Sequence, residues 1–125
     1  MELWIDNTEF DSLELSGRAD RIWDGDAPDV AKINLDDHEG QKEAISLIGL
    51  APWILLICSN WKMIPLENLI SKSSGTGTKI AVSITEEIEI LGVSFALQHG
   101  VDALLLPPNI KIWNEAEKVK KIKKD

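Results

Sequence analysis

Three side chains of different chemistry stand close together in one short segment. They are Lys62, Glu67 and Asn68, within Asn60–Ile70, which reads N-W-K-M-I-P-L-E-N-L-I. A lysine can meet an anionic group, a glutamate can move or orient a proton, and an asparagine can orient a partner through its amide. Plainer roles compete with each. Glu67 falls near the third position of an expected helix, where a carboxylate satisfies free N–H groups and favours the dipole. Lys62 also fits a solvated loop, and Asn68 a hydrogen bonder at a helix end.

The flanking residues position this segment. Trp53–Cys58 is continuously apolar, the pattern of a strand buried on both faces. Ile64, just before a proline, is pushed toward extended backbone, and Pro65 suits the first position of a helix. The segment therefore reads as strand end, loop and helix start, followed by a Ser/Gly/Thr loop at Ser71–Thr78. That puts Lys62, Glu67 and Asn68 near the C-terminal end of a buried strand, where α/β folds gather their chemistry.

Taken in order, the chain repeats this alternation. Leu3–Ile5 is a first strand, with Thr8 a plausible cap for a short helix that Phe10, Leu13 and Leu15 could turn toward a core. Ile22–Trp23 is a second strand, followed by an acidic turn at Asp24–Asp29. Val30–Leu35 is a third, alternating Val30, Lys32, Asn34 against Ala31, Ile33, Leu35. Asp36 or Asp37 can cap the next helix, whose apolar stripe is Ala44, Ile45, Leu47 and Ile48 and which Gly49 ends. Lys79–Ile84 is a fifth strand. Thr85 with Glu86–Glu87 opens a helix carrying Ile88, Leu91, Val93, Phe95 and Ala96 up to Gly100. Ala103–Leu106 is a sixth strand, and Ile110–Lys124 is a closing amphipathic, lysine-rich helix.

Strand, helix, glycine stop and strand thus recur, with stops at Gly17, Gly49 and Gly100. Such alternation means parallel strands joined by right-handed crossovers. The expected fold class is α/β in a single domain, with a mainly parallel sheet of about six strands. Six are too few for an eight-stranded barrel, so it is an open sheet or an incomplete TIM-like barrel.

Other strand ends carry Asp6, Asn7, Asp36, Asp37, His38, Ser59, Asn60 and Thr85, most of which helix capping explains. His38 has no second His or Cys at ligand spacing, so no metal is expected. His99, before Gly100, suits a helix C-terminus. Ser74–Lys79, S-G-T-G-T-K, lacks the spacing of a phosphate loop and precedes a strand instead of a helix, and no G-x-G-x-x-G occurs.

The chain has 125 residues, 44% apolar and 27% charged, with a net charge of −8. That length suits one domain with a real core, and that charge argues against a nucleic-acid-binding body. No apolar run is long enough to span a bilayer and the N-terminus has no signal-peptide layout, so a cytoplasmic protein without membrane contact is expected. Cys58, the single cysteine, reads as a small buried hydrophobe. The lysine-rich end (Lys118, Lys120, Lys121, Lys123, Lys124) reads as a solvated helix face.

W-K-x-I-P-L-E-N-L-I resembles a signature segment of the archaeal-type (type II) 3-dehydroquinate synthases. L-Q-H-G-V-D-A-L-L-L at Leu97–Leu106 resembles that family's L-E-x-G-V-D-G-V-L. Asn60 stands where the family usually has Asp, and Gln98–His99 and Ala103 replace its Glu-x and Gly. The likeness covers most of this chain but only the N-terminal part of the family's fold. It implies a shikimate-pathway enzyme that converts an amino-dideoxy-heptulosonate to 3-dehydroquinate by NAD-dependent oxidative deamination and cyclisation. Lys62, Glu67 and Asn68 are then the matched positions. A small anionic keto acid is the implied substrate and NAD the implied cofactor. The family's β-rich C-terminal part, with its G-D-R segment, has no counterpart here. The expected partner is therefore such a C-terminal portion, or a second copy through self-association. A non-catalytic binding module derived from the family is the alternative, and a complete small enzyme using the strand-end carboxylates a further one.

Overall fold

A computed structural model describes residues 1–9, 13–59, 61, 66–92 and 101–123. The strands are β1 (Glu2–Asp6), β2 (Arg21–Trp23), β3 (Val30–Asn34), β4 (Trp53–Ile57), β5 (Lys79–Ser83) and β6 (Ala103–Leu106). Helices α1 (Leu13–Ser16), α2 (His38–Leu47), α3 (Leu66–Ser73), α4 (Glu87–Gly92) and α5 (Ile110–Lys123) alternate with them. All strand pairs are parallel, in the order β2-β1-β6-β5-β4-β3. The expected parallel α/β fold is therefore present, and β4 is an interior strand.

The first strand pairs with the last, Leu3 opposite Leu104. The opening of the sheet thus lies between β2 and β3, which are its two edges, and not after β6. The connection across that opening is the acidic turn of Asp24–Asp29, with no helix, and Ile22 on β2 is 54% exposed.

Curling follows from which side chains meet. Trp4 on β1 and Trp53 on β4 have ring centroids 4.8 Å apart, although β6 and β5 lie between their strands. Neighbouring strands are about 4.8 Å apart, so a flat sheet would hold these two near 14 Å from each other. The intervening strands contribute Ala103 and Ala81, a registered pair too small to keep the indoles apart. Trp23, Leu55 and Leu105 complete this inner cluster.

The outer face alternates with it. Leu3, Ile5, Ile33, Leu35, Ile54, Leu56, Ile80, Val82, Leu104 and Leu106 pack under the helices, with Cys58 buried among them. Helix α5 adds Ile112, Trp113 and Ala116, and α3 adds Leu66, Leu69 and Ile70 at helical spacing. Gly49 has φ near +90°, a conformation that lets the chain turn from α2 toward β4.

Several expected helix faces differ. Leu13 is 90% exposed and Leu15 is the buried residue of α1. In α4 Ile90 is buried while Ile88 is 65% exposed, and the Leu91 side chain lies outside the described residues. In α2, Ala44 is buried but Ile45 is 46% exposed, with Leu47 and Ile48 only partly covered. Thr8 folds back on Asp6, and α1 is described from Leu13. Phe10, Val93, Phe95, Ala96, His99, Gly100 and Lys124 lie outside the described residues.

Candidate active site at the carboxyl ends of the strands

At the mouth of the curled sheet, a bond on each side holds Ser59 and Trp61, the two described residues that follow β4 and Cys58. Toward β3, the Asp36 carboxylate accepts from the Ser59 amide at 3.0 and 3.2 Å and from the Ser59 hydroxyl at 3.1 Å. The Cys58 thiol points to the same oxygen at 3.4 Å. The Ser59 N–H is the main reason the Asp36 carboxyl sits below its ordinary pKa, with the thiol and hydroxyl helping against partial desolvation. Toward β5, Trp61 is buried and its indole N–H donates to the Ser83 carbonyl at 3.1 Å. A carboxylate from one neighbouring strand end and a carbonyl from the other thus hold the two sides of the departing loop.

Beyond that clamp the chain enters α3. Asn68 is exposed near its start. Glu67 belongs to the first turn by its backbone. Lys62, Asn60 and Pro65 lie outside the described residues, as does the Glu67 side chain. The two described backbone positions therefore lie on the helix that follows the carboxyl end of β4, as the sequence indicates.

The remaining strand-end residues have specific tasks. Asp37 caps α2 by accepting from the Glu39 amide, which leaves Asp36 for the cross-strand clamp. Gly40 lies against the end of β3, where any Cβ would run into the Asn34 carbonyl oxygen. Asp6 accepts from the Thr8 amide and hydroxyl at 2.9 and 2.6 Å. Asn7 donates to the Ser16 hydroxyl at 3.3 Å, while its buried Oδ1 has no partner among the described residues. Glu89 reaches back to the Thr85 and Glu86 amides at 2.6 and 2.9 Å, a capping arrangement that opens α4. His38 is exposed at the start of α2. Among the described residues no three His, Cys, Asp or Glu side chains gather to hold a metal ion. No described helix is long and apolar enough to cross a membrane.

Two polar residues on the inner face were legible only as alternation. Val30 packs with the inner tryptophans, so Lys32 and Asn34 share its side of β3, level with Leu55 and Ile57 on β4. The signal was in the sequence, but choosing which phase faces inward requires the register to β4.

A parallel α/β sheet curled around a tryptophan cluster, with a clamped loop at its carboxyl end, defines the class of this protein. The chain belongs to the 3-dehydroquinate synthase II N-terminal domain family, whose model matches residues 5–124. It is 29% identical over 89 residues to the 3-dehydroquinate synthase of Methanobrevibacter smithii, covering 71% of this chain and 24% of that protein. It is 31% identical over 98 residues to that of Methanococcus maripaludis strain C6, covering 78% of this chain and 25% of that one. A third, from Methanocorpusculum labreanum, is 31% identical over 77 residues, which is 62% of this chain and 22% of that protein. The chain thus spans about a quarter of the length of the curated relatives it matches. No solved structure matches it.

Proposed function

We propose that this chain forms the amino-terminal α/β part of a cytoplasmic 3-dehydroquinate synthase of type II, whose mouth at the carboxyl ends of the strands receives an anionic keto-acid substrate. The observation that carries this reading is the double clamp on the motif loop, Asp36 to Ser59 and Trp61 to Ser83. It supports the reading by holding Ser59 and Trp61 at the end of an interior parallel strand, ahead of the α3 backbone that carries Glu67 and Asn68. Lys62 then meets the substrate carboxylate, Glu67 transfers or orients a proton, and Asn68 orients the substrate. The reaction is the oxidative deamination and cyclisation of an amino-dideoxy-heptulosonate, for which NAD accepts the hydride.

The described residues do not offer a dinucleotide cradle. The left-handed glycines Gly75 and Gly77 sit in the α3–β5 loop, at the amino-terminal end of the sheet and away from the mouth. We assign the dinucleotide's binding to residues beyond those described. The relatives are about four times longer than the part they share with this chain, which supports a division of the site between two portions.

Two assays test the reading. Met1–Asp125 alone is expected to form no NADH from the amino-sugar substrate. The same chain with the remaining portion of the Methanobrevibacter smithii enzyme supplied in trans is expected to turn over. Glu67→Gln should then cut kcat/KM by clearly more than about twofold, the loss a cap alone would explain. Turnover by the isolated chain would make it a complete small enzyme. Inactivity of the complemented pair would make it a non-catalytic binding module, and an indifferent Glu67→Gln would return that residue to helix capping.

A further inference from the structure

The inner face of the sheet carries cations at two levels, and they are engaged differently. At the amino-terminal level Arg21 is held by both Asp29 oxygens at 2.9 and 3.0 Å and lies over the Trp4 ring at 4.7 Å. Lys79 lies over the Trp53 ring at 5.4 Å. Lys32 stands higher, level with Leu55, in the same inward phase as Val30. It is exposed and forms no ion pair among the described residues. Two residues on, Asn34 spends its Oδ1 on the Asp36 amide at 2.9 Å, which leaves its NH2 group facing outward from that bond as a donor.

The surroundings make this cation conspicuous. The carboxylates around the mouth include Asp6, Asp24, Asp36 and Asp37, in a chain of net charge −8. A small anion entering there meets repulsion unless a cation is at hand. Among the described residues, Lys32 is the cation that the inner face offers in its carboxyl-terminal half. Lower down, the inner face is filled by Trp4 and Trp53, at most 6% exposed.

We propose that Lys32, with the Asn34 amide beside it, is an anion subsite on the inner face of the mouth that takes the carboxylate of a keto acid. The identity of that ligand rests on the function proposed above; the subsite itself rests on the register and the charge pattern. A plainer role competes, because β3 is an edge strand and an inward lysine can guard an edge against pairing with another chain. The two readings differ in what loss of the charge does.

The test is titration of 15N-labelled chain with pyruvate, and separately with inorganic phosphate, followed by amide shifts and by sedimentation. Saturable shifts at Lys32, Asn34 and Ser83 are expected with pyruvate. Lys32→Met should weaken that binding about tenfold or more, the scale of one charge-assisted contact, and Lys32→Arg should restore most of it. Lys72→Met, on the outer helix α3, should leave it unchanged. Equal binding by Lys32→Met with increased self-association would overturn the subsite in favour of the edge guard. Equal shifts with phosphate and no loss in Lys32→Met would mean non-specific screening, and would also overturn it. Because the readout is binding, inactivity of the complemented pair would sink the proposed reaction without touching this subsite. Conversely, an active pair whose KM ignores Lys32→Met would sink the subsite alone.

Discussion

The two ends of the curled sheet are built on opposite principles. Toward the amino end its inside is filled: Trp4 and Trp53 pack with Ala81 and Ala103, and Arg21 stacks above both rings. Toward the carboxyl end the same face turns polar, with Lys32, Asn34 and Ser83 in line with Val30, Trp53 and Ala81 below. The amino end closes a small barrel-like core without a hydrogen-bonded seam between β2 and β3. In α/β barrels, residues at the first end read as stability and those at the second as activity. Separate substitutions at the two ends can break that division.

The largest effect is expected from Trp4→Ala. Trp4 is fully buried and touches Trp53 across two intervening strands, so truncation empties the middle of the curl. A loss of about 3–5 kcal/mol is the usual scale for a buried aromatic, a large share of a domain's total stability. Urea unfolding followed by circular dichroism measures it. A loss below about 1 kcal/mol would mean that the tryptophans do not close the sheet, and the contrast between the ends would fail.

A much smaller global effect, and a larger local one, is expected from Asp36→Ala. This removes the acceptor shared by the Ser59 amide, the Ser59 hydroxyl and the Cys58 thiol, all at the mouth. The urea midpoint should move little, while hydrogen exchange at the Ser59 amide should speed up by about tenfold as the loop loses one clamp. In the complemented enzyme kcat should fall with it. An unfolding midpoint as low as that of Trp4→Ala would make Asp36 part of the stabilising core and blur the division.

Much of this architecture is legible in the sequence, and the misses have physical causes. The strands were readable because each is a short apolar or alternating run between turn residues. The glycine at 49 and the capping aspartate at 37 mark helix ends by rules that act within a few residues. Helix phase was less secure. In α4, only six residues long, choosing Ile88 over Ile90 rotates the buried face away from the sheet, and nothing local decides between them. Between Asp36 and Asp37 the sequence leaves the cap open for a different reason: two adjacent aspartates can both cap, and only the approach of β4 shows that Asp36 is taken by Ser59. The inner role of the tryptophans and the direction of Lys32 depend on pairing between strands distant in sequence. The helix expected after the motif is α3, which follows the carboxyl end of β4. The side-chain roles of Lys62, Glu67 and Asn68 depend on a substrate that only the enzyme assay can bring to them.

The smallest effect belongs to the unpaired seam. Arg21 on β2 and Asp29 just before β3 form a two-pronged pair where no strand ladder joins these elements. Hydrogen bonding by Arg21 is the leading cause that holds the Asp29 carboxyl below its ordinary pKa. Asp20 is also held low: burial pushes it up, but the Leu3 amide and the Lys120 ammonium outweigh that. A carboxylate lowered in the folded state contributes stability above its unfolded value, about 3.9, and that contribution disappears as pH falls through the lower folded value. Stability should therefore decline as pH is lowered from about 4, with the amino-end pairs contributing to the slope. Asp29 is 40% exposed at its side chain, so water and salt screen the pair and its net worth is modest. Asp29→Asn should lower the thermal midpoint slightly at pH 7 and flatten the decline below pH 4, while pyruvate binding at the mouth stays unchanged. Added salt should shrink the difference between the two proteins. A mutant that keeps the full acid slope would remove this pair from the seam's stability. One that loses pyruvate binding would show that the amino end is not separate from the mouth after all.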